Sequence, residues 1–140
     1  MKINTDMHFS QPVLTKCEFV ANEGYTHMDG IKIEMPVSLS KKYGKIINNR
    51  ACPILLSVKV GEKNDAFPYF AEVEMGSNFF WDERLDETFR NDILELRAPA
   101  LLYGYIRPVM AMLTGYSVFS SFNMPFGDFR KDSVENKDEI

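Results

Sequence analysis

The chain has 140 residues, with 16 lysines and arginines against 20 acids and 45% hydrophobic residues, enough for one domain whose core needs no disulfide or metal staple. A formal net charge of −4 argues against a nucleic-acid binder, which presents a basic face to phosphates. The 11 Phe, 6 Tyr, 8 Met and single Trp exceed what a small sheet-and-helix core needs, so some of that surface packs unusually or meets something else.

The opening residues, Met1-Lys2-Ile3-Asn4-Thr5-Asp6, contain no apolar stretch of the secretory kind. No segment offers the roughly 18 uncharged apolar residues of a membrane span. The longest candidate, 101–122, is interrupted by Gly104, Arg107, Pro108 and Gly115. A cytoplasmic protein with no membrane insertion is expected, with Cys17 and Cys52 both reduced. Cys17 reads as a small apolar residue buried on a strand.

Residues 13–20 alternate loosely, with Val13, Thr15, Cys17 and Phe19 on one side and Lys16 and Glu18 on the other. Residues 31–39 alternate almost perfectly, Ile31, Ile33, Met35, Val37 and Leu39 facing one way. Pro36 cannot donate to a ladder, so this strand lies at an edge or carries a bulge. A third strand covers 54–60, and the polar loop 61–65 turns the chain into a fourth over 67–75. Four strands joined in this way make an antiparallel sheet with one wet face.

After Gly76 the period changes. Leu85, Phe89, Ile93 and Leu96 recur at helical spacing, with Asp82 as cap. A second helix starts near Pro99, and its wide apolar stripe includes Leu102, Tyr105, Ile106, Val109, Met112 and Tyr116. Pro108 should kink it and Gly115 stop it. The fold class is therefore α+β: a four-stranded antiparallel sheet followed by two helices packed on one face. Residues 1–129 read as a single domain and 130–140 as a charged, disordered tail.

Signals for catalysis are thin, and the expectation is a protein that is not an enzyme and needs no cofactor. The only histidines, His8 and His27, show no metal-ligand spacing, and no phosphate loop or nucleophile motif occurs. Glu72 and Glu74 share one face of the fourth strand, which reads as a solvated face rather than a carboxylate pair. Lys41, Lys42, Lys45 and Arg50 read as a solubilising loop. Apolar surplus is the better lead. Phe79-Phe80-Trp81 falls in an apparent loop flanked by Gly76, Ser77, Asn78 and Asp82, where three aromatics cannot all be core. The second helix is apolar on more than one side, and Val118, Phe119, Phe122, Met124, Phe126 and Phe129 follow it.

The second half resembles the SecB-type protein-export chaperones of bacteria. The residues that carry the resemblance are Pro99-x-x-Leu102-Tyr103-x-Tyr105-x-Arg107 and Phe119-x-x-Phe122-Asn123-Met124-Pro125-Phe126-x-x-Phe129, with Phe70-Ala71-Glu72-Val73-Glu74-Met75-Gly76 upstream. The resemblance implies a homotetramer, a dimer of dimers, that binds unfolded precursor polypeptides in aromatic grooves without ATP. It makes Phe79, Phe80, Trp81, Tyr105, Phe119 and Phe122 the groove candidates. It makes Phe70, Glu72 and Glu74 the candidate docking patch for the SecA motor. Two departures stand out: Cys17 and Ala21 occupy the family's acidic positions on the first strand, and its terminal helix is missing. They open an alternative, an interaction module dedicated to one partner such as an unstable antitoxin.

Overall fold

Alternation of apolar and polar residues builds the sheet, and the interruptions to that alternation decide where each strand starts. The computed structural model describes residues 7–28, 30, 32–119, 121–125 and the backbone of 135–137. Five antiparallel strands form the sheet: β1 (His8–Phe9), β2 (Val13–Ala21), β3 (Val37–Tyr43), β4 (Ala51–Gly61) and β5 (Tyr69–Phe80). A short β6 (Glu135–Lys137) adds in parallel to β3. The order is β1-β5-β4-β3-β6, with β2 sharing β1's edge of β5.

The expected count of four strands becomes five because His8–Phe9, ahead of the expected first strand, also pairs with β5, and Ser10-Gln11-Pro12 separates the two. Pro12 has no N–H to offer. Ser10 bridges the break, donating its amide to the Asn78 carbonyl and accepting the Asn78 amide on Oγ, both at 3.0 Å. β3 likewise starts at Val37 and not at 31, since Pro36 can only accept, which it does from the Gly61 amide at 2.9 Å. Ile31 lies outside the described residues. At its other end β3 continues to Tyr43, so Lys41 and Lys42 are strand residues and not part of a loop. The β3–β4 turn is made by Asn48 and Asn49, both at positive φ (50° and 53°), with the Arg50 amide closing on the Ile47 carbonyl at 3.0 Å. Two successive left-handed residues match the twist of a tight hairpin, and Asn tolerates that conformation. Gly61, at φ +78°, opens the β4–β5 connection, and a Cβ there would lie 2.0 Å from the Tyr69 carbonyl oxygen.

β5 runs to Phe80, which overturns the loop expected at 79–81. Gly76-Ser77-Asn78 has turn chemistry, but β4 pairs with it from one side and Ser10 with Asn78 from the other, and tertiary pairing overrides local preference.

The two expected helices are one helical run over 87–115: α1 (Glu87–Asp92), a π-helical segment (Ile93–Arg97) and α2 (Ala98–Gly115). Asp86, not Asp82, caps it, accepting the Phe89 amide at 3.1 Å. Pro99 lies in the first turn of α2, as expected, but the helical run continues before it, so it removes a donor from the preceding turn. The wide turn accommodates this, with the Ala98 amide reaching back to the Ile93 carbonyl. β3 then supplies donors to carbonyls of that turn: the Tyr43 hydroxyl at 2.9 Å to Leu94 and Lys41 Nζ at 3.4 Å to Glu95. α2 continues through Pro108, whose freed acceptor at Gly104 lies on the exposed face, and it ends at Gly115 as expected.

α2 lies over β4 and β5. Its Leu102, Ile106 and Met110 pack against Ile54, Leu56, Val58, Ala71, Val73 and Phe79 in one core. β2 lies at the sheet's edge, beyond that cover, so Leu14 is 46% exposed and Cys17 is exposed rather than buried. Among residues 130–140, only the backbone of β6 is described, and it is paired with β3.

Candidate functional site

Strand geometry separates the aromatic triplet. Successive side chains on β5 point to opposite faces, so Phe79 is fully buried in the core while Phe80 is 42% exposed on the far face of the sheet. Trp81 is also core, 4% exposed, its amide bonded to the Arg50 carbonyl at 2.9 Å. Phe79 and Trp81 are therefore core residues with almost no exposed surface. Asp82, the expected cap, instead takes the Arg84 amide and guanidinium, which hold its carboxyl at about 2.

Tyr105 projects outward from α2 at 38% exposure, edge-on to Phe9 of β1 with ring centroids 6.4 Å apart. Phe9 in turn leans on Phe79 at 6.2 Å. Phe119 belongs elsewhere. It packs edge-on to Tyr25 at 5.9 Å and His27 at 5.6 Å, in the connection between β2 and β3. That connection is tied to the start of β5 by the Asn22 amide on the Pro68 carbonyl at 3.0 Å. The six groove candidates thus divide between the two ends of β5. Beside the Phe119 cluster lies a concavity of about 340 Å³, lined by Tyr25, His27, Met28, Ile33, Glu34 and Phe67 among others.

Between these ends runs the outer side of α2. With the inner side on the sheet, Tyr105, Met112 and Tyr116 remain exposed at helical spacing, and Leu101 and Val109 are half-buried along the same row. A second side of α2 is covered by the extended strap 121–125, where Phe122 belongs. Thr114, fully buried, accepts the Phe122 amide on Oγ1 at 2.8 Å and donates to the Met110 carbonyl at 2.8 Å. The Tyr103 hydroxyl donates to the Pro125 carbonyl, and Met124 is buried between these two latches. Phe126 and Phe129 lie outside the described residues. Sequence reasoning missed Phe9 and Met28 as exposed apolar residues, and Thr114 as a latch. A lone Thr within an apolar helical stripe was the available signal.

Phe70, Glu72 and Glu74 do share the far face of β5, beside one another. Their charge is compensated locally. Glu72 is buried yet accepts from Lys16 Nζ and from the Ser57 hydroxyl, each at 2.9 Å. Burial pushes its carboxyl up, and the Lys16 and Ser57 hydrogen bonds outweigh that and hold it below the usual value. Glu74 accepts from Thr15 Oγ1 at 2.7 Å and lies 4.0 Å from Lys42 Nζ. Lys63 Nζ sits 5.0 Å over the Phe70 ring.

Among the described residues no three His, Cys, Asp or Glu side chains converge to hold a metal ion. Cys52 is buried, and burial pushes its thiol up to about 11, the opposite of an activated nucleophile. No helix among the described residues is long and apolar enough to cross a membrane.

No family model matches the sequence, and no curated protein matches it. The fold has solved counterparts. The chain superposes on the Mycobacterium tuberculosis Rv1957 SecB-like chaperone, solved in complex with a ChAD peptide from the Rv1956 HigA1 antitoxin, with a TM-score of 0.64 at 13% identity. That match covers 87% of this chain and 88% of the other. A protein of unknown function from Streptococcus agalactiae matches with a TM-score of 0.54 at 8% identity, over 86% and 98% of the two chains. The shared feature is a SecB-like fold.

Proposed function

We propose that this protein is a cytoplasmic, nucleotide-independent chaperone that binds non-native polypeptides on apolar surface and keeps them unfolded for hand-over, without catalysing a reaction. The observation that carries the reading is the row Tyr105, Met112 and Tyr116 on α2, with Phe9 beside it, still exposed after the helix has packed on its sheet and strap. Aromatic and Met side chains give large, adaptable contact area, which suits clients of varied sequence. The SecB-like fold supports the reading, and so does the peptide bound to the M. tuberculosis counterpart. Part of the same row is assigned to contacts within a homotetramer, a dimer of dimers of about 64 kDa from the 16.1 kDa chain, measurable by light scattering.

Mixing the purified protein with an aggregating, chemically unfolded model substrate tests the reading. Suppression at near-stoichiometric ratio is expected, weakened by Tyr105→Ser or Met112→Ser with little change in stability. Unchanged aggregation at several-fold excess overturns it. A second reading, a module dedicated to one partner, is favoured by the antitoxin peptide on the M. tuberculosis counterpart. Capture from cells followed by mass spectrometry separates the two: many unrelated polypeptides support the first, one dominant partner the second. Docking of a SecA-type motor on Phe70, Glu72 and Glu74 would have to compete with the Lys16, Lys42 and Lys63 contacts already made there.

A further inference from the structure

The sheet has two outer edges, and they are guarded differently. β2 carries a bulge between Leu14 and Lys16, and its Lys16 and Glu18 form ion pairs along the strand and with Glu72 and Lys63. Bulges and charges of this kind discourage a further strand. β3 carries no bulge, and its Lys42–Glu74 ion pair is long at 4.0 Å. Its register against β4 is unbroken from Val37 to Tyr43. Its two lysines turn to their own chain, Lys41 Nζ reaching the Glu95 carbonyl at 3.4 Å and Lys42 Nζ lying 4.0 Å from Glu74. A regular edge left open in this way is a template for strand addition.

Something already sits on it. Ser40 lies opposite Glu135, Lys41 opposite Asn136 and Lys42 opposite Lys137, in parallel. The residues supplied, Glu, Asn and Lys, are among those least favoured in strands, so backbone pairing and not side-chain preference selects this contact. β6 spans three of the seven residues of β3. A longer extended segment along 37–43 has more main-chain bonds to make and would displace it.

We propose that the outer edge of β3 is a strand-addition site for an extended segment of a non-native polypeptide, and that Glu135–Lys137 is its competitor within the same chain. The proposal rests on the polypeptide-binding reading above and adds a second mode to it. Apolar surface selects hydrophobic clients, and the β3 edge holds any extended backbone whatever its side chains. The tethered competitor lowers apparent client affinity by the fraction of time it occupies the edge.

The test compares the full chain with its Asn136→Pro/Lys137→Pro variant: successive N–H groups on a strand face opposite edges, so one of the two faces β3, and proline has no N–H to give to that ladder. Fluorescent, reduced and alkylated α-lactalbumin, a permanently unfolded polypeptide, is titrated into each, and amide hydrogen exchange is followed over 37–43. The variant should bind about three- to tenfold more tightly, and the bound polypeptide should slow exchange at 37–43. A synthetic peptide of residues 128–140 should compete. Equal binding by both forms with no added protection at 37–43 overturns the edge site while leaving client binding intact. No binding by either form overturns both.

Discussion

Phe79 and Phe80 are neighbours on β5, yet one is fully buried under α2 and the other is 42% exposed on the far face. The same contrast runs the length of the sheet. On the helix side, Ile54, Leu56, Val58, Val73 and Phe79 meet Leu102, Ile106 and Met110 in a dry layer. On the far side, Lys16, Ser57 and Glu72 form one polar network, and Thr15, Lys42 and Glu74 another. The first face holds the fold by packing, which tolerates no loss of volume. The second holds its groups by local neutralisation, so single changes there cost less and alter the surface without unfolding the chain.

The sharpest way to break this contrast is to truncate the two neighbours in turn. Phe79→Ala should lose about 3–5 kcal/mol in denaturant unfolding, and Phe80→Ala less than about 1 kcal/mol. Equal losses would mean that the far face is also a packed face. Thr114→Val comes next. The shape is kept but the Phe122 amide loses its acceptor, and about 1–3 kcal/mol should be lost, with faster exchange over 121–125.

Glu72→Gln probes the far face and should cost about 1 kcal/mol at neutral pH, since its partner Lys16 is half exposed and screened. The carboxyl sits below its ordinary value of 4.5, so its contribution is present above that pH and is lost as pH falls through the folded value. The two unfolding curves should converge on acidification below about 4.5; a gap that persists would show that the ion pair is not its source. The smallest effect is chemical. At pH 8, a thiol reagent should label Cys17 in the folded chain and reach Cys52, with its thiol pushed up to about 11, only after unfolding.

Much of the fold was legible because its signals are local. The alternation at 54–60, the polar connection after Gly61 and the stop at Gly115 each specify their own geometry. What was not legible depended on partners distant in sequence. Residues 76–80 look like a turn until Ser10 and β4 pair with them. Pro99 marks the start of α2, but not that the run is continuous through the preceding turn, where Tyr43 and Lys41 supply donors. The site followed the same rule. Composition and motif located the apolar surplus in 79–81, the second helix and 118–129, and Tyr105 is exposed on that helix. Which of Phe79, Phe80 and Trp81 meets solvent was decided by strand phase, and Phe9 and Tyr25 became relevant only when folding set them against Tyr105 and Phe119.

The π-helical segment at 93–97 also sets the angular phase between α1 and α2. An α-helix turns about 100° per residue, so deleting one residue there would restore a regular ladder but swing α1 around its axis by that angle. Arg90 would then leave Asn49 on the β3–β4 hairpin, a contact of 2.9 Å that joins the helical run to the tip of the sheet. Residue count in this turn is therefore under a constraint of its own, besides the packing of Ile93 and Leu94. Substitutions at the exposed Glu95 and Arg97 should be tolerated far better than single-residue deletions, the reverse of what an exposed connector would allow.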